Sequence, residues 1–149
     1  MALKVLSEYL NQEEITKLFP EDVLNEFERI CKIDKNQLDV SMLELMEQKH
    51  LIVKLISSLK YRISLHEKVL KKIEFDVWKK SLVEQIKFQA REDRRLYIES
   101  DDTWRENKHK LDAFMIQLDF LEKISNILDS KHYMIKNYMD YLIWTNGDR

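Results

Sequence analysis

Residues 52–77 read IVKLISSLKYRISLHEKVLKKIEFDV, and within them Ile52, Leu59, His66 and Ile73 recur every seven residues, as do Ile56, Ile63, Leu70 and Val77. Two such sets offset by four describe the seam of a coiled coil, because helical positions three and four apart fall on one face. Neither Gly nor Pro interrupts the stretch. One long helix is therefore expected, starting near Leu38, packed along its length against another helix, and able to run past residue 85 into Arg91-Glu92-Asp93-Arg94-Arg95.

Downstream, Tyr97-Ile98-Glu99-Ser100-Asp101-Asp102 breaks the pattern, and Thr103 with Glu106 has the spacing of a capping box that opens a new helix. That helix lines up Leu111, Phe114, Met115, Leu118, Leu121, Ile124, Leu128, Ile135, Met139 and Leu142. A second row, Ile116, Phe120, Ile127, Met134 and Tyr141, lies beside the first. Together they are wider than a two-helix seam needs, so other copies of the chain are expected to cover part of them. Leu111, Phe114, Leu118, Leu121, Ile124, Leu128, Ile135, Met139 and Leu142 are the candidate oligomerisation residues. Asp129-Ser130-Lys131-His132 reads as a kink or short connector, and Asn146-Gly147-Asp148-Arg149 as a frayed tail.

Upstream, Leu3, Leu6 and Leu10 share one side of a short helix, and Asn11 with Glu14 suggests a further capped turn. Pro20 suits the first position of another helix, with Glu21 and Asp22 at its positive end and Val23, Leu24, Phe27, Ile30 and Cys31 as its apolar stripe.

Composition agrees with helices. In 149 residues there are one Gly and one Pro, too few for the turns of a sandwich, a barrel or a Rossmann-type unit. The expected fold is all-α: long helices in a helical hairpin or coiled coil, with short N-terminal helices, assembled as a homo-oligomer. The organisation follows as an acidic helical segment over 1–35, a basic coiled-coil region over 36–96 and an oligomerisation helix region over 97–149. No apolar run approaches the roughly 20 residues of a membrane span. Met1-Ala2-Leu3-Lys4 opens no secretory apolar region, and the single Cys31 forms no internal disulfide, so a soluble protein of a reducing cytoplasm is expected.

The formal net charge of −2 conceals segregation. Residues 1–50 carry 6 basic and 11 acidic groups, whereas residues 54–80 carry Lys54, Lys60, Arg62, Lys68, Lys71, Lys72, Lys79 and Lys80 against Glu67, Glu74 and Asp76. Lys-rich helical faces are commonly just solvated. Here, however, Tyr61 sits between Lys60 and Arg62, while Phe75 and Trp78 lie between Lys71-Lys72 and Lys79-Lys80. Cations for phosphates interleaved with rings for bases are the chemistry of single-strand binding. The candidate nucleic-acid contacts are Lys60, Arg62, Lys68, Lys71, Lys72, Lys79 and Lys80.

Chemistry of other kinds has little support. Glu47 with His50 and Glu106 with His109 repeat the Glu-x-x-His spacing of di-iron bundles, but the second pair sits in a wholly polar stretch without the orienting shell a metal needs. With no Gly before position 147 there is neither a phosphate-binding loop nor a nucleophile elbow. No enzyme, cofactor or metal is expected. His66 reads as a polar residue that sets register on the seam, and Cys31 as a small core residue.

The C-terminal part resembles a known family. Tyr97-Ile98-Glu99-Ser100-Asp101-Asp102, then Ile116-Gln117-Leu118-Asp119-Phe120-Leu121, then Ile127 to Asn137 look like the C-terminal half of the UvsY-type bacteriophage recombination mediators. In that family an acidic turn leads into a long helix with a Leu-Asp-aromatic motif and ends near a segment of an apolar residue, any residue and Ile-Lys-Asn, matched by Tyr133 to Asn137. The family's basic helix is matched most nearly by Leu70-Lys71-Lys72-Ile73-Glu74-Phe75-Asp76; its first basic position is Leu70 here, and its following glycine has no counterpart. The likeness covers about 100 residues, from near Lys35 onward. It implies single-stranded DNA binding by a ring-like oligomer, contact with a single-strand binding protein and a strand-exchange recombinase, and recombinase loading without catalysis. The alternative expectation is a coiled-coil adaptor whose partners are proteins only.

Overall fold

A computed structural model describes residues 21–34 and 37–147. Four helices follow in order: α1 (Glu21–Cys31), α2 (Leu38–Val83), α3 (Arg91–Glu99) and α4 (Asp102–Gly147). No strand occurs among the described residues. The short helix expected over Ala2–Leu10, the turn at Asn11, and Pro20 lie outside them.

Helices α2 and α4 are each 46 residues long, roughly 70 Å of rod, and pack antiparallel as a hairpin. The pairs Lys49–Asp129, Lys60–Glu122, His66–Phe114 and Glu74–Trp104 form successive rungs from the open end to the closed end. Between them Leu45, Ile52, Leu59, Leu121, Leu128 and Ile135 lose essentially all contact with solvent.

The seam follows the expected sevenfold repeat with one shift of phase. Ile52 and Leu59 are fully buried, and His66 and Ile73 continue their row half-buried. In the other row Leu70 and Val77 are buried, but toward the N-terminus Leu55, Gln48 and Ser41 take the inward place and Ile56 moves to the flank. The change falls where Leu55, Leu59 and Ile63 follow one another at steps of four, an insertion that locally unwinds a heptad seam.

Helix α2 stops at Val83 and does not run on into the arginine-rich stretch. The Ile86 N–H donates to the Ser81 carbonyl (3.0 Å) and the Gln85 N–H to the Leu82 carbonyl (3.1 Å), the bond pair of a Schellman turn. Gln85 takes the left-handed position, φ 57°, that usually belongs to glycine. Helix α3 then begins where Asp93 Oδ2 accepts the N–H groups of Gln89 (3.2 Å) and Ala90 (3.0 Å). The boundary expected between residues 96 and 97 lies inside this helix.

The break before α4 falls at the expected place, but its cap is not Thr103. Asp101 Oδ1 accepts the Trp104 N–H at 2.9 Å, leaving Thr103 and Glu106 exposed. No connector interrupts α4 at Asp129–His132, and helix persists through Asn146 to Gly147. Lys131 lies in that supposed break because its side chain is buried under α1, where Nζ donates 2.9 Å to the Ile30 carbonyl. Phe27 and Ile30 of α1 are buried as well, with Phe27 edge-on to Phe120, ring centroids 5.2 Å apart. Helix α1 thus covers Phe120 of the second apolar row, a part of the wide stripe for which other copies of the chain were expected.

Candidate nucleic-acid interface

Seen along α2, one row faces directly away from the seam: Tyr61, Leu65, Lys68, Lys72, Phe75 and Lys79, alternating at steps of four and three and all exposed. From Tyr61 to Lys79 it runs about 27 Å along the rod. The row follows from the inward pattern, since residues half a turn from a heptad seam repeat with the same spacing. The sequence places Lys and aromatic side chains in it.

The seven candidate basic residues divide by position. Lys68, Lys72 and Lys79 belong to the outward row, and Lys71 is exposed beside them. Lys68, Lys71 and Lys72 meet no carboxylate among the described residues, and Lys79 Nζ lies 4.9 Å from the Phe75 ring centre. Lys60 and Lys80 sit on the flanks and are engaged: Lys60 with Glu122 across the hairpin at 2.8 Å, Lys80 with Glu84 at 3.9 Å. Arg62 is half-buried and lines a recess that runs from His66 and Phe114 at the seam out to Leu65 at the edge of the outward row. The structure thus brings Lys68, Lys71, Lys72 and Lys79 together on one surface, and sets Lys60, Arg62 and Lys80 apart.

Two cations outside the expected set adjoin this surface. The Arg94 guanidinium of α3 lies 4.9 Å from the centre of the Trp78 ring, and Phe75 stands 5.7 Å from Trp78 between centroids. Arg91 and Arg94, with Glu74 and Trp104, border an open cleft of about 670 Å³ at the closed end of the hairpin. The sequence signal was the run Arg91 to Arg95, which reads as a continuation of α2 so long as the Gln85 turn goes unrecognised.

The candidate oligomerisation residues face inward. Leu111, Phe114, Leu121, Ile124, Leu128 and Ile135 are buried within the hairpin of a single chain, and Leu118 and Met139 pack against the same core. Leu142 is half-buried near the end of α4. Of the second row, α4 leaves Ile116, Ile127, Met134 and Tyr141 exposed, and Met115 of the first row is exposed beside them.

His66 packs against Phe114 at the seam with the rings tilted by 47° and their centroids 4.9 Å apart, and its Nδ1 is buried without a hydrogen-bond partner. Burial, and then the Lys110 ammonium, push its pKa below the ordinary histidine value. Cys31 is half-buried; burial raises its thiol pKa and Lys131 partly opposes the rise. Glu47, His50, Glu106 and His109 are exposed, and among the described residues no three His, Cys, Asp or Glu side chains converge as a metal set. No helix among those residues is long and apolar enough to cross a membrane.

No family model, no curated protein and no solved structure matches the chain.

Proposed function

We propose that the chain is a single-stranded DNA-binding recombination mediator: it holds unpaired DNA on α2, self-associates, and helps a strand-exchange recombinase onto DNA coated by single-strand binding protein, without catalysing a reaction. The observation that carries the reading is the outward row of α2, where Lys68, Lys72 and Lys79 alternate with Tyr61 and Phe75 and no carboxylate of the hairpin neutralises Lys68 or Lys72. Phosphates of a single strand track such cations, and exposed rings offer stacking worth about 1–3 kcal/mol per base. One short row binds weakly. Several copies side by side multiply the contacts, which favours an assembled form. Because the first apolar row of α4 closes the hairpin, Ile116, Ile127, Met134 and Tyr141 are the surface for association between copies. The sequence likeness to UvsY-type mediators supports the recombinase and the single-strand binding protein as partners and supports work in the cytoplasm, that of the host cell if the chain is phage-encoded.

The same exposed α4 row favours a second reading, a coiled-coil adaptor that docks proteins and leaves DNA alone. Mediation is tested by strand-exchange recombinase activity on single-stranded DNA precoated with its binding protein. A mediator shortens the lag before the recombinase acts, and an adaptor leaves the lag unchanged. Mass in solution by light scattering, with and without an oligonucleotide, tests assembly: the wild type is a multimer, and Ile127→Lys with Met134→Lys lowers the mass while helicity stays.

A further inference from the structure

Four side chains on α2 and α3 form one array, with two rings between a cation at each end. Lys79 Nζ lies 4.9 Å from the centre of Phe75, Phe75 stands 5.7 Å from Trp78, and the Arg94 guanidinium lies 4.9 Å from the centre of Trp78. The array starts on the outward row of α2, turns the corner of the rod and ends on α3, at the mouth of the cleft bordered by Arg91. Phe75 is 49% exposed and Trp78 half-buried, and each ring carries a cation on one side, Lys79 over Phe75 and Arg94 over Trp78.

The charges around the cleft are unevenly satisfied. Arg95 engages both Glu92 (3.6 Å) and Glu99 (3.0 Å), and Glu74 accepts the Trp104 indole N–H at 3.1 Å. Arg91 and Arg94 meet no carboxylate among the described residues. Two guanidinium groups without an ion-pair partner among the described residues, held on a short helix whose orientation is fixed by a Schellman turn on one side and by Asp101 on the other, suit bidentate contact with phosphate oxygens. A guanidinium resting on an indole occupies the place that a nucleobase takes when it stacks, so a base that stacks on Trp78 displaces Arg94 from the ring and leaves it for the phosphates.

We propose that Arg91 and Arg94 of α3, with Phe75 and Trp78 of α2, form a second nucleic-acid-binding element that receives a single strand of DNA as it leaves the lysine row. Phosphates go to the two arginines, and a base stacks on the Phe75–Trp78 pair. The proposal rests on the reading of the α2 row as a single-strand site and extends it around the closed end, so that the DNA path bends from the rod face toward the cleft. Helix α3 is then the wall that turns a flat stripe into a groove.

The test is titration of a labelled oligothymidylate with wild type, Arg91→Ala/Arg94→Ala, Arg94→Lys, and Trp78→Phe, each checked for unchanged helicity and melting. The double alanine variant weakens binding about tenfold at low salt and flattens the log–log salt slope by about 1.4, the share of two phosphates on a single strand. Arg94→Lys keeps the slope. Binding quenches wild-type tryptophan fluorescence; Trp78→Phe keeps a ring, so affinity changes less than about threefold while most of the quench disappears. If the wild type binds and the double variant keeps both affinity and slope, the α3 element is refuted and the α2 row stands. If the wild type itself does not bind, the α2 reading fails and the α3 element falls with it. Should Arg91→Ala/Arg94→Ala lose helicity, Arg94→Lys and Trp78→Phe decide, and an unchanged quench in Trp78→Phe overturns the stacking site.

Discussion

Lys131 Nζ donates a 2.9 Å hydrogen bond to the Ile30 carbonyl, so a lysine from the middle of α4 closes the C-terminal end of α1. That carbonyl is one of the four a helix leaves without an internal partner, and it sits at the negative end of the helix dipole. Burial pushes the Lys131 pKa below the ordinary lysine value, with the nearby Cys31 and Glu44 partly restoring it. The contact holds α1 on the hairpin at the cost of desolvating an ammonium group.

Lys131→Met removes a charge-assisted bond worth about 1.5–3 kcal/mol and relieves part of the burial cost, so the net loss is expected near 1 kcal/mol. The signature is local. Hydrogen exchange accelerates at Phe27 to Cys31 while amides of the central α2–α4 seam keep their protection. Uniform acceleration across both long helices would show that α1 is not held separately.

Gln85 adopts φ 57° to complete the turn after α2, a conformation that costs a side-chain-bearing residue about 1–2 kcal/mol. Gln85→Gly removes that cost and adds about 0.5–1 kcal/mol of chain entropy in the unfolded state. A net stabilisation of roughly 0.5–1 kcal/mol is expected by urea unfolding. Gln85→Val, β-branched at the same place, lowers stability instead.

Asp101 caps α4 through the Trp104 N–H. Asp101→Ala is expected to cost about 1 kcal/mol, while Thr103→Ala changes stability by less than about 0.5 kcal/mol. Equal effects would return the cap to Thr103.

His66 gives the hairpin a pH response. Its pKa in the folded chain is lowered, first by burial and then by Lys110, and Arg62 lines the same recess, so the imidazole stays neutral where an unfolded chain already takes up a proton. As pH falls through the ordinary histidine value of 6.5 toward the lowered one, the unfolded state holds more protons and stability drops; below the lowered value the loss levels off. His66→Leu is expected to remove this component of the profile and, by deleting the unpartnered Nδ1, to stabilise the fold at pH 6. A wild-type profile matched by the variant from pH 7 to pH 5 would contradict it.

Helical class, the hairpin and the break near residue 100 are legible in the sequence because they rest on periodicity and on missing Gly and Pro. The end of α2 is not, since Gln85 stands where glycine is the usual signal and a Schellman turn leaves no other mark. The role of Lys131 is hidden for a related reason: a lysine in a polar cluster reads as surface, and only the approach of α1 buries it. For the site, residue type pointed to Lys68, Lys71, Lys72 and Lys79, but type alone does not separate them from Lys60 and Lys80, whose carboxylates come from Glu122 on α4 and from Glu84. The apolar stripe of α4 was read as an assembly face because a single strand of sequence does not say which of its two rows α2 will occupy.

Single-stranded DNA is proposed to lie along the outward row of α2. Fluorescence anisotropy of a labelled oligothymidylate, titrated at about 50 mM and about 200 mM salt, tests it with the wild type and with Lys68→Ala/Lys72→Ala/Lys79→Ala. Wild-type binding is expected to weaken steeply with salt, and the triple variant to fold, bind far more weakly and show a log–log slope shallower by about 2. Wild-type protein that leaves the anisotropy unchanged at both salt concentrations, or a triple variant that binds as the wild type does, would contradict it.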